Sequence, residues 1–377
     1  MASVLPKCLQ HHVATKAVIF PAFVICAVAA YGLLYTELLP MIKTAFSSKS
    51  LPEVRNVVVQ YKEKHSLHAP GPAVPPSRWV RYPHHKWQGY PLPVLTALPL
   101  GRMGNVMGEY STLWALKHIY NATVFVMPKM RERLMSFPSL SLPICPGKGA
   151  ETEWTRVGRS GPLNQYNFTK IEMAAAGLFG PKIFLLTRCS FEIQLFNFFK
   201  EDLRREFTFD QEIQTKVRAF LAKVLQKRPS DNNRTPPPVL VGFHVRRTDY
   251  VRHAMINFGA KLPEDKYFTR ALGHYRRRFS NNVAFVVASD DMAFARQRLA
   301  HHRDVFFSEG GSPAEDMALL SSCNHSIITL GSYGFWTGYL AGGEVVYPDV
   351  KLQRQYRFSR EMYETVGLTN FTPISPD

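Results

Sequence analysis

Val239-Leu-Val-Gly-Phe-His-Val245 running into Arg246-Arg-Thr-Asp-Tyr250, and Val283-Ala-Phe-Val-Val-Ala-Ser289 running into Asp290-Asp291, decide the fold. Both are short, almost wholly apolar runs rich in β-branched and aromatic residues, and both end abruptly in charge. Such runs read as strands buried on both faces, which belong to parallel sheets covered by helices. The intervening and following segments alternate accordingly. Glu264–Phe279 reads as a helix, Asp290–His301 as a helix, Val305–Phe307 as a strand and Pro313–Ser322 as a helix. Ser326–Leu330 then reads as a strand, Ser332–Ala341 as a helix and Glu344–Tyr347 as a strand. This is the pattern of a doubly wound α/β sheet, in which ligands bind outside the carboxyl ends of the strands.

Upstream, Val94–Leu100 reads as a strand, Gly101–Asn105 as a tight loop and Thr123–Met127 as a strand. Between them Val106–Tyr120 is a helix whose Met107, Tyr110, Leu113 and Trp114 share one apolar face. The stretch to about residue 228 reads as largely helical, with a buried strand at Ile183–Thr187. Pro-rich Arg228–Pro238 is a linker. The expectation is two α/β lobes, 94–235 and 236–377, facing each other across a cleft.

The 377 residues carry 46 Lys and Arg against 29 Asp and Glu, a formal net charge of +17. A polyanionic partner is the first thing such a balance suggests. The cations are scattered through apolar, periodic segments and no RNA- or DNA-binding motif is present, which points away from nucleic acid and toward a phosphate-bearing substrate. Cys145, Cys189 and Cys323 are the only cysteines beyond the N-terminal apolar run, so no disulfide scaffold holds the fold.

That apolar run, Ala17–Tyr35, holds 19 residues without a charge. As a helix it would span about 28 Å, close to a bilayer's hydrocarbon core. Lys7 and Lys16 precede it, so residues 1–16 are expected to stay cytoplasmic, 17–35 to form a signal anchor and the remainder to be lumenal. Residues 36–93, proline-rich in their second half, read as a stem whose Trp79, Tyr82, Trp87 and Tyr90 can dock on the body. Sequons at Asn121, Asn167, Asn233 and Asn370 are glycosylation candidates. A fifth, at Asn324, falls inside an apolar element and is not expected to be modified.

Four segments carry chemistry. His244 and Arg246 are two residues apart at a strand's end, so they point to the same side, and a guanidinium there can clamp a diphosphate and hold charge as it departs. Asp290 ends the second strand; it is either a helix N-cap or a carboxylate that accepts from guanine's edge donors. Gly331-Ser332 opens a helix whose backbone N–H groups suit a phosphate. In Gly101-Arg-Met-Gly-Asn105, Gly101 and Gly104 allow close backbone approach and Asn105 offers a donor and an acceptor. The body contains no Asp-x-Asp, so arginine and helix starts are expected to neutralise a leaving group without a metal.

In order and spacing, Gly101-Arg-Met-Gly-Asn-Val-Met-Gly-Glu-Tyr110, His244-Val-Arg-Arg-Thr-Asp-Tyr250, Ala318-Leu-Leu-Ser-Ser-Cys-Asn-His-Ser326 and Tyr339-Leu-Ala-Gly-Gly343 closely resemble the galactoside 2-α-L-fucosyltransferases, over roughly residues 94–350. The resemblance implies a GT-B-like pair of Rossmann-type lobes, GDP-β-L-fucose as donor, a β-galactoside acceptor joined by an α1,2 linkage with inversion, and a single-pass Golgi membrane enzyme. It implies that Arg246 holds the β-phosphate, that His244 and Asp290 hold the nucleotide, that Ser332 lies at the pyrophosphate and that Asn105 reaches the donor from the other lobe. Superfamily members forming α1,6 linkages have a Glu ten residues after the motif's His; here Ala254 stands there, which removes that reading's base. Asp249 is the candidate general base, with His253 second. The competing expectations are a fucosyltransferase for another glycan or a protein hydroxyl, and a membrane-anchored sugar-binding protein without catalysis.

Overall fold

The computed structural model describes residues 73–147, 154–160, 165–166, 169–226, 236–351 and 357–377. Segment 17–35, the sequons at Asn167 and Asn233 and most of the linker lie outside them.

The first part of the body begins with an antiparallel hairpin, β1 (Tyr82–Trp87) and β2 (Tyr90–Leu92). A four-stranded parallel sheet follows, built from β3 (Val94–Ala97), β4 (Thr123–Val124), β5 (Thr155–Val157) and, after the small hairpin β6 (Arg159–Ser160) and β7 (Gln165–Tyr166), β8 (Ile183–Leu186); its order is β4-β3-β8-β5. Its helices are α1 (Met103–Tyr120), α2 (Pro128–Arg133), α3 (Thr169–Ala175), α4 (Ile193–Phe196), α5 (Lys200–Glu206) and α6 (Gln211–Gln226).

The second part is a six-stranded parallel sheet of β9 (Val239–Val245), β10 (Val283–Ser289), β11 (Val305–Phe307), β12 (His325–Ile327), β13 (Val345–Pro348) and β14 (Phe371–Ile374). The connecting helices are α7 (Tyr250–Phe258), α8 (Asp265–Arg278), α9 (Met292–Leu299), α10 (Pro313–Ser321), α11 (Ser332–Ala341) and α12 (Arg360–Thr365). The order β11-β10-β9-β12-β13-β14 winds outward in both directions from the β9/β12 pair. A crevice must therefore open at the carboxyl ends of these two strands, where successive crossovers leave on opposite sides.

Side-chain alternation on the inner strands assigns the faces. Val241, Phe243 and Val245 of β9, with Val283, Phe285 and Val287 of β10, pack on Tyr267, Phe268, Leu272 and Tyr275 of α8. The alternate residues Leu240, Ala284, Val286 and Ala288 face Met317 and Leu320 of α10 and Phe335, Trp336 and Tyr339 of α11. That second face continues into Val106, Met107, Tyr110 and Leu113 of α1, so one core joins both sheets. Phe196 stacks on Trp336 at 5.4 Å, and Trp336 Nε1 donates to the Gly104 carbonyl at 2.9 Å. The helices α1 and α11 are thereby locked together where their N-termini meet.

Several elements depart from expectation for identifiable reasons. Helix α1 begins at Met103 and takes up Gly104 and Asn105, which were read as loop. The region after α2 contains β5, β6 and β7 where helix was expected; strands of two or three residues are too short to show a period. Strand β14 includes Pro373, tolerated because the strand lies at the sheet's edge. Helix α7 went unread because Ala254 is its one fully buried residue among nine.

Residues 73–93, read above as the end of a stem, run along the first sheet. Val74 is buried, Trp79 Nε1 donates to its carbonyl and the Trp79 ring lies 5.4 Å from Tyr120. Trp87 meets Phe125 and Trp154 edge-on at 6.1 Å. The aromatic residues fasten a chain that proline content alone marks as unpacked. Asn121 is exposed at the C-cap of α1, whereas the Asn370 amide nitrogen, where a glycan would attach, donates to the Gly343 carbonyl at 2.6 Å. Cys145, Cys189 and Cys323 are all free thiols.

Candidate active site

At the carboxyl ends of β9, β10 and β12 lies a cavity of about 620 Å³. All eight site residues expected from sequence line it: Gly104, Asn105, His244, Arg246, Asp249, Asp290, Gly331 and Ser332. The strand pairing explains this convergence. His244 is the register partner of Ala288 and Val245 of Ser289, so the charged residues that follow each strand emerge side by side.

Two helices start at the cavity wall, α1 after Arg102 and α11 after Gly331. Among the described residues neither start carries a side-chain cap, so first-turn N–H groups and the positive dipole ends are left for an anion. Gly331 adopts φ +109°, a left-handed conformation that suits glycine. Ser332 Oγ donates to Asn105 Oδ1 at 2.6 Å, coupling the two starts.

Arg246 is mostly covered, and its guanidinium pairs with the carboxylates of Asp249 and Asp290. Its backbone N–H donates to Thr329 Oγ1 at 2.8 Å, which ties the end of β9 to the end of β12. The Tyr250 ring lies 5.7 Å from the guanidinium. Asp249 is also bound by Arg102 at 3.1 Å, across from the other sheet, and its side chain is 55% exposed. One aspartate thus sits between two guanidinium groups at the place where an anionic ligand would bind.

Asp290 needs a correction on its capping role. The N-cap of α9 is Asp291, whose Oδ1 accepts from the Phe294 N–H at 3.0 Å. Asp290 stands before the helix, and both of its oxygens are engaged by the 246–248 loop: Oδ1 by the Arg247 N–H at 2.8 Å, Oδ2 by Arg246 and Thr248. In this state it orients the arginine.

His244 is buried against Tyr333, ring centroids 4.9 Å apart. Burial first, then the nearby Arg246 charge, depress its pKa to about 3, so the imidazole is neutral at physiological pH. Its Nδ1 is buried and has no hydrogen-bond partner among the described residues.

Four lining or supporting residues were not singled out from sequence. Arg102, inside the Gly-x-x-Gly-Asn segment, shares Asp249. Asp316, inside the third motif, lines the cavity and accepts from Ser308 Oγ at 2.7 Å. Tyr333 packs on His244. Glu109 lies fully buried nearly two turns into α1, and both its oxygens accept from the Leu100 N–H at 3.1 Å, pinning the loop before Gly101. The signal for Glu109 was the only carboxylate in the 18 residues of α1.

Burial raises the Glu109 pKa to about 8, against the Leu100 bond and the positive Arg357 and Arg133. The fold therefore favours the protonated acid. Its contribution to stability is complete below about pH 4.5, where the unfolded chain is also protonated, and is lost as pH rises through about 8. Glu109→Gln keeps an acceptor for Leu100 and removes the titration. Urea midpoints at pH 5 and pH 8 are expected to differ less in the variant than in the parent; equal differences would remove Glu109 from the pH response.

The chain matches the sequence model of Glycosyl transferase family 11 over residues 86–366. It is 34% identical over 286 residues to galactoside 2-alpha-L-fucosyltransferase SEC1 of Bos taurus, covering 73% of each chain. It is 35% identical over 254 residues to galactoside alpha-(1,2)-fucosyltransferase 2 of Bos taurus, covering 66% of this chain and 69% of that one. Among solved structures, the NodZ alpha-1,6-fucosyltransferase soaked with GDP-fucose aligns with a TM-score of 0.41 at 12% identity, over 70% of this chain and 99% of that one. Because the family's match runs from before β3 to past α12 and takes in every segment lining the cavity, the chain belongs to glycosyl transferase family 11 and is a glycosyltransferase.

Proposed function

We propose that the enzyme transfers L-fucose from GDP-β-L-fucose to the 2-OH of a terminal β-galactoside, with inversion, forming an α1,2 linkage. The observation that carries the reading is one cavity where Arg246 and two uncapped helix starts converge, in a chain whose relatives are named galactoside α-(1,2)-fucosyltransferases. When the bond from the fucose C1 to the β-phosphate oxygen breaks, negative charge builds on the diphosphate. Arg246 and the first N–H groups of α11 are preorganised to take it, and Asn105 and Gly104 approach from the α1 side.

The arriving diphosphate competes with Asp249 for the Arg246 guanidinium. That exchange turns the Asp249 carboxylate toward the exposed mouth, where it can take the proton of the attacking 2-OH. Asp290 keeps its hold on the Arg247 N–H and the Thr248 hydroxyl and fixes the arginine's direction. His244, neutral, contributes as a hydrogen-bonding and packing group at the nucleotide end. The finer architecture, a GT-B-like pair of Rossmann-type lobes, is supported by the two parallel sheets on either side of the site. A type II Golgi anchorage is supported by the uncharged 17–35 segment with Lys7 and Lys16 before it, and a lumenal body by the exposed sequon at Asn121.

The test is GDP release by the full chain given GDP-fucose and lactose in the presence of EDTA, with linkage analysis of the product. Turnover undiminished by EDTA, with fucose on the galactose 2-OH, is the expected result. Turnover only with a different glycan or a protein acceptor would replace the acceptor assignment, and tight GDP binding without transfer to any acceptor would sink the enzymatic reading.

A further inference from the structure

Helix α7 has an inverted distribution of polarity. Its inward half carries Tyr250 and His253, which line the cavity, and the buried Ala254. At about 100° per residue, Val251, Arg252, Met255 and Ile256 fall within ~140° of one another on the outward half. There Val251 is 44%, Met255 46% and Ile256 59% exposed, and Arg252 is exposed as well. Three of the eight large apolar side chains exposed among the described residues sit on this nine-residue helix. The exposure is concentrated in one place rather than scattered, which marks an interaction surface.

We propose that the outward half of α7 docks on the lipid surface that carries the acceptor, so that the enzyme favours lipid-linked over free galactosides. The inference rests on the transferase reading above. Three arguments select a lipid surface as occupant. One edge of the ridge adjoins the cavity wall: Ile256 lies about 60° round the helix from His253, which lines the cavity and is itself exposed, so a surface that presents a sugar at His253 also reaches Ile256. The ridge's chemistry is aliphatic side chains plus one cation, which suits an acyl and phosphate boundary and provides little with which to read a peptide or a sugar. The chain also carries the uncharged 17–35 segment and a net charge of +17, which would hold the body beside a membrane and attract it to anionic headgroups.

The experiment compares the full chain with its V251S/M255S/I256S variant, both reconstituted in vesicles of phosphatidylcholine with phosphatidylserine. The same β-galactoside is offered once as a free oligosaccharide and once attached to a ceramide in the vesicle. The variant is expected to lose about tenfold in kcat/KM for the ceramide-linked acceptor and to keep the parent's value for the free one, which also shows that it is folded. Equal values for both proteins on both acceptors would overturn the proposal. So would parallel losses on both, or a change from dimer to monomer without a selective loss, which would assign the ridge to a second copy. If the parent transfers fucose to neither galactoside, the transferase reading itself fails, a result distinct from loss of the lipid preference.

Discussion

Arg246→Ala is expected to lower kcat for GDP release by about 10²–10³-fold, equivalent to ~2.7–4 kcal/mol, the usual consequence of removing one preorganised donor to developing negative charge. The effect should sit toward the upper end because the substitution does more than delete a cation. Asp249 and Asp290 both point at the guanidinium, and without it they face the diphosphate as unneutralised carboxylates. Arg246→Lys tests the geometry. A lysine restores the charge as a point, without the fork that spans two oxygens, so its rate should fall between those of parent and alanine variant. Single-turnover rates with GDP-fucose and lactose decide the matter. An alanine variant with the parent's kcat would mean that the Arg246 ion pairs serve the fold and that the leaving group is stabilised elsewhere.

Gly104→Ala is expected to damage stability and activity together. A Cβ at this position would lie 2.9 Å from the Tyr333 backbone nitrogen and 3.0 Å from the Ser332 carbonyl carbon and Oγ. Two of these three neighbours are backbone, so relief requires α1 to move away from α11. Forcing a methyl group into such a contact costs about 1–3 kcal/mol, read as a lower urea midpoint. The displacement also separates the two helix starts and strains the Trp336–Gly104 and Ser332–Asn105 bonds. Misplacing an active-site element by about 1 Å can cost ~10²-fold in rate, so kcat/KM should drop by about that factor, with a raised KM for GDP-fucose. A variant that is destabilised yet fully active would show that the α1 start takes no part in donor binding.

The strands Val239–Val245, Val283–Ser289 and Val305–Phe307 and the helix Ser332–Ala341 have the bounds read from sequence. Each is a buried apolar run or a helix opened by Gly-Ser, where local pattern and tertiary burial demand the same thing. Helix α7 was illegible because only Ala254 of its nine residues is buried, and β5, β6 and β7 because strands of two or three residues are too short to show a period. The site divides in the same way. His244 and Arg246 could be paired from strand alternation, and Gly331 and Ser332 from a helix start. Asp290 could not be separated from Asp291 as the cap: two adjacent aspartates satisfy the same local preference, and only the loop bonds from Arg246, Arg247 and Thr248 distinguish them.

What the sequence determined by itself was the periodicity of the parallel sheet and the residues at the carboxyl ends of its strands, because burial on both faces leaves an unbroken apolar run that stops where solvent or ligand begins. Only the tertiary structure decided that α1 and α11 meet at Gly104, that Arg102 and Arg246 share Asp249 from opposite sides of the cavity, and that Glu109 is buried and holds its proton to about pH 8. Those outcomes depend on contacts between segments more than a hundred residues apart and on local dielectric, and neither is encoded in the spacing of nearby side chains.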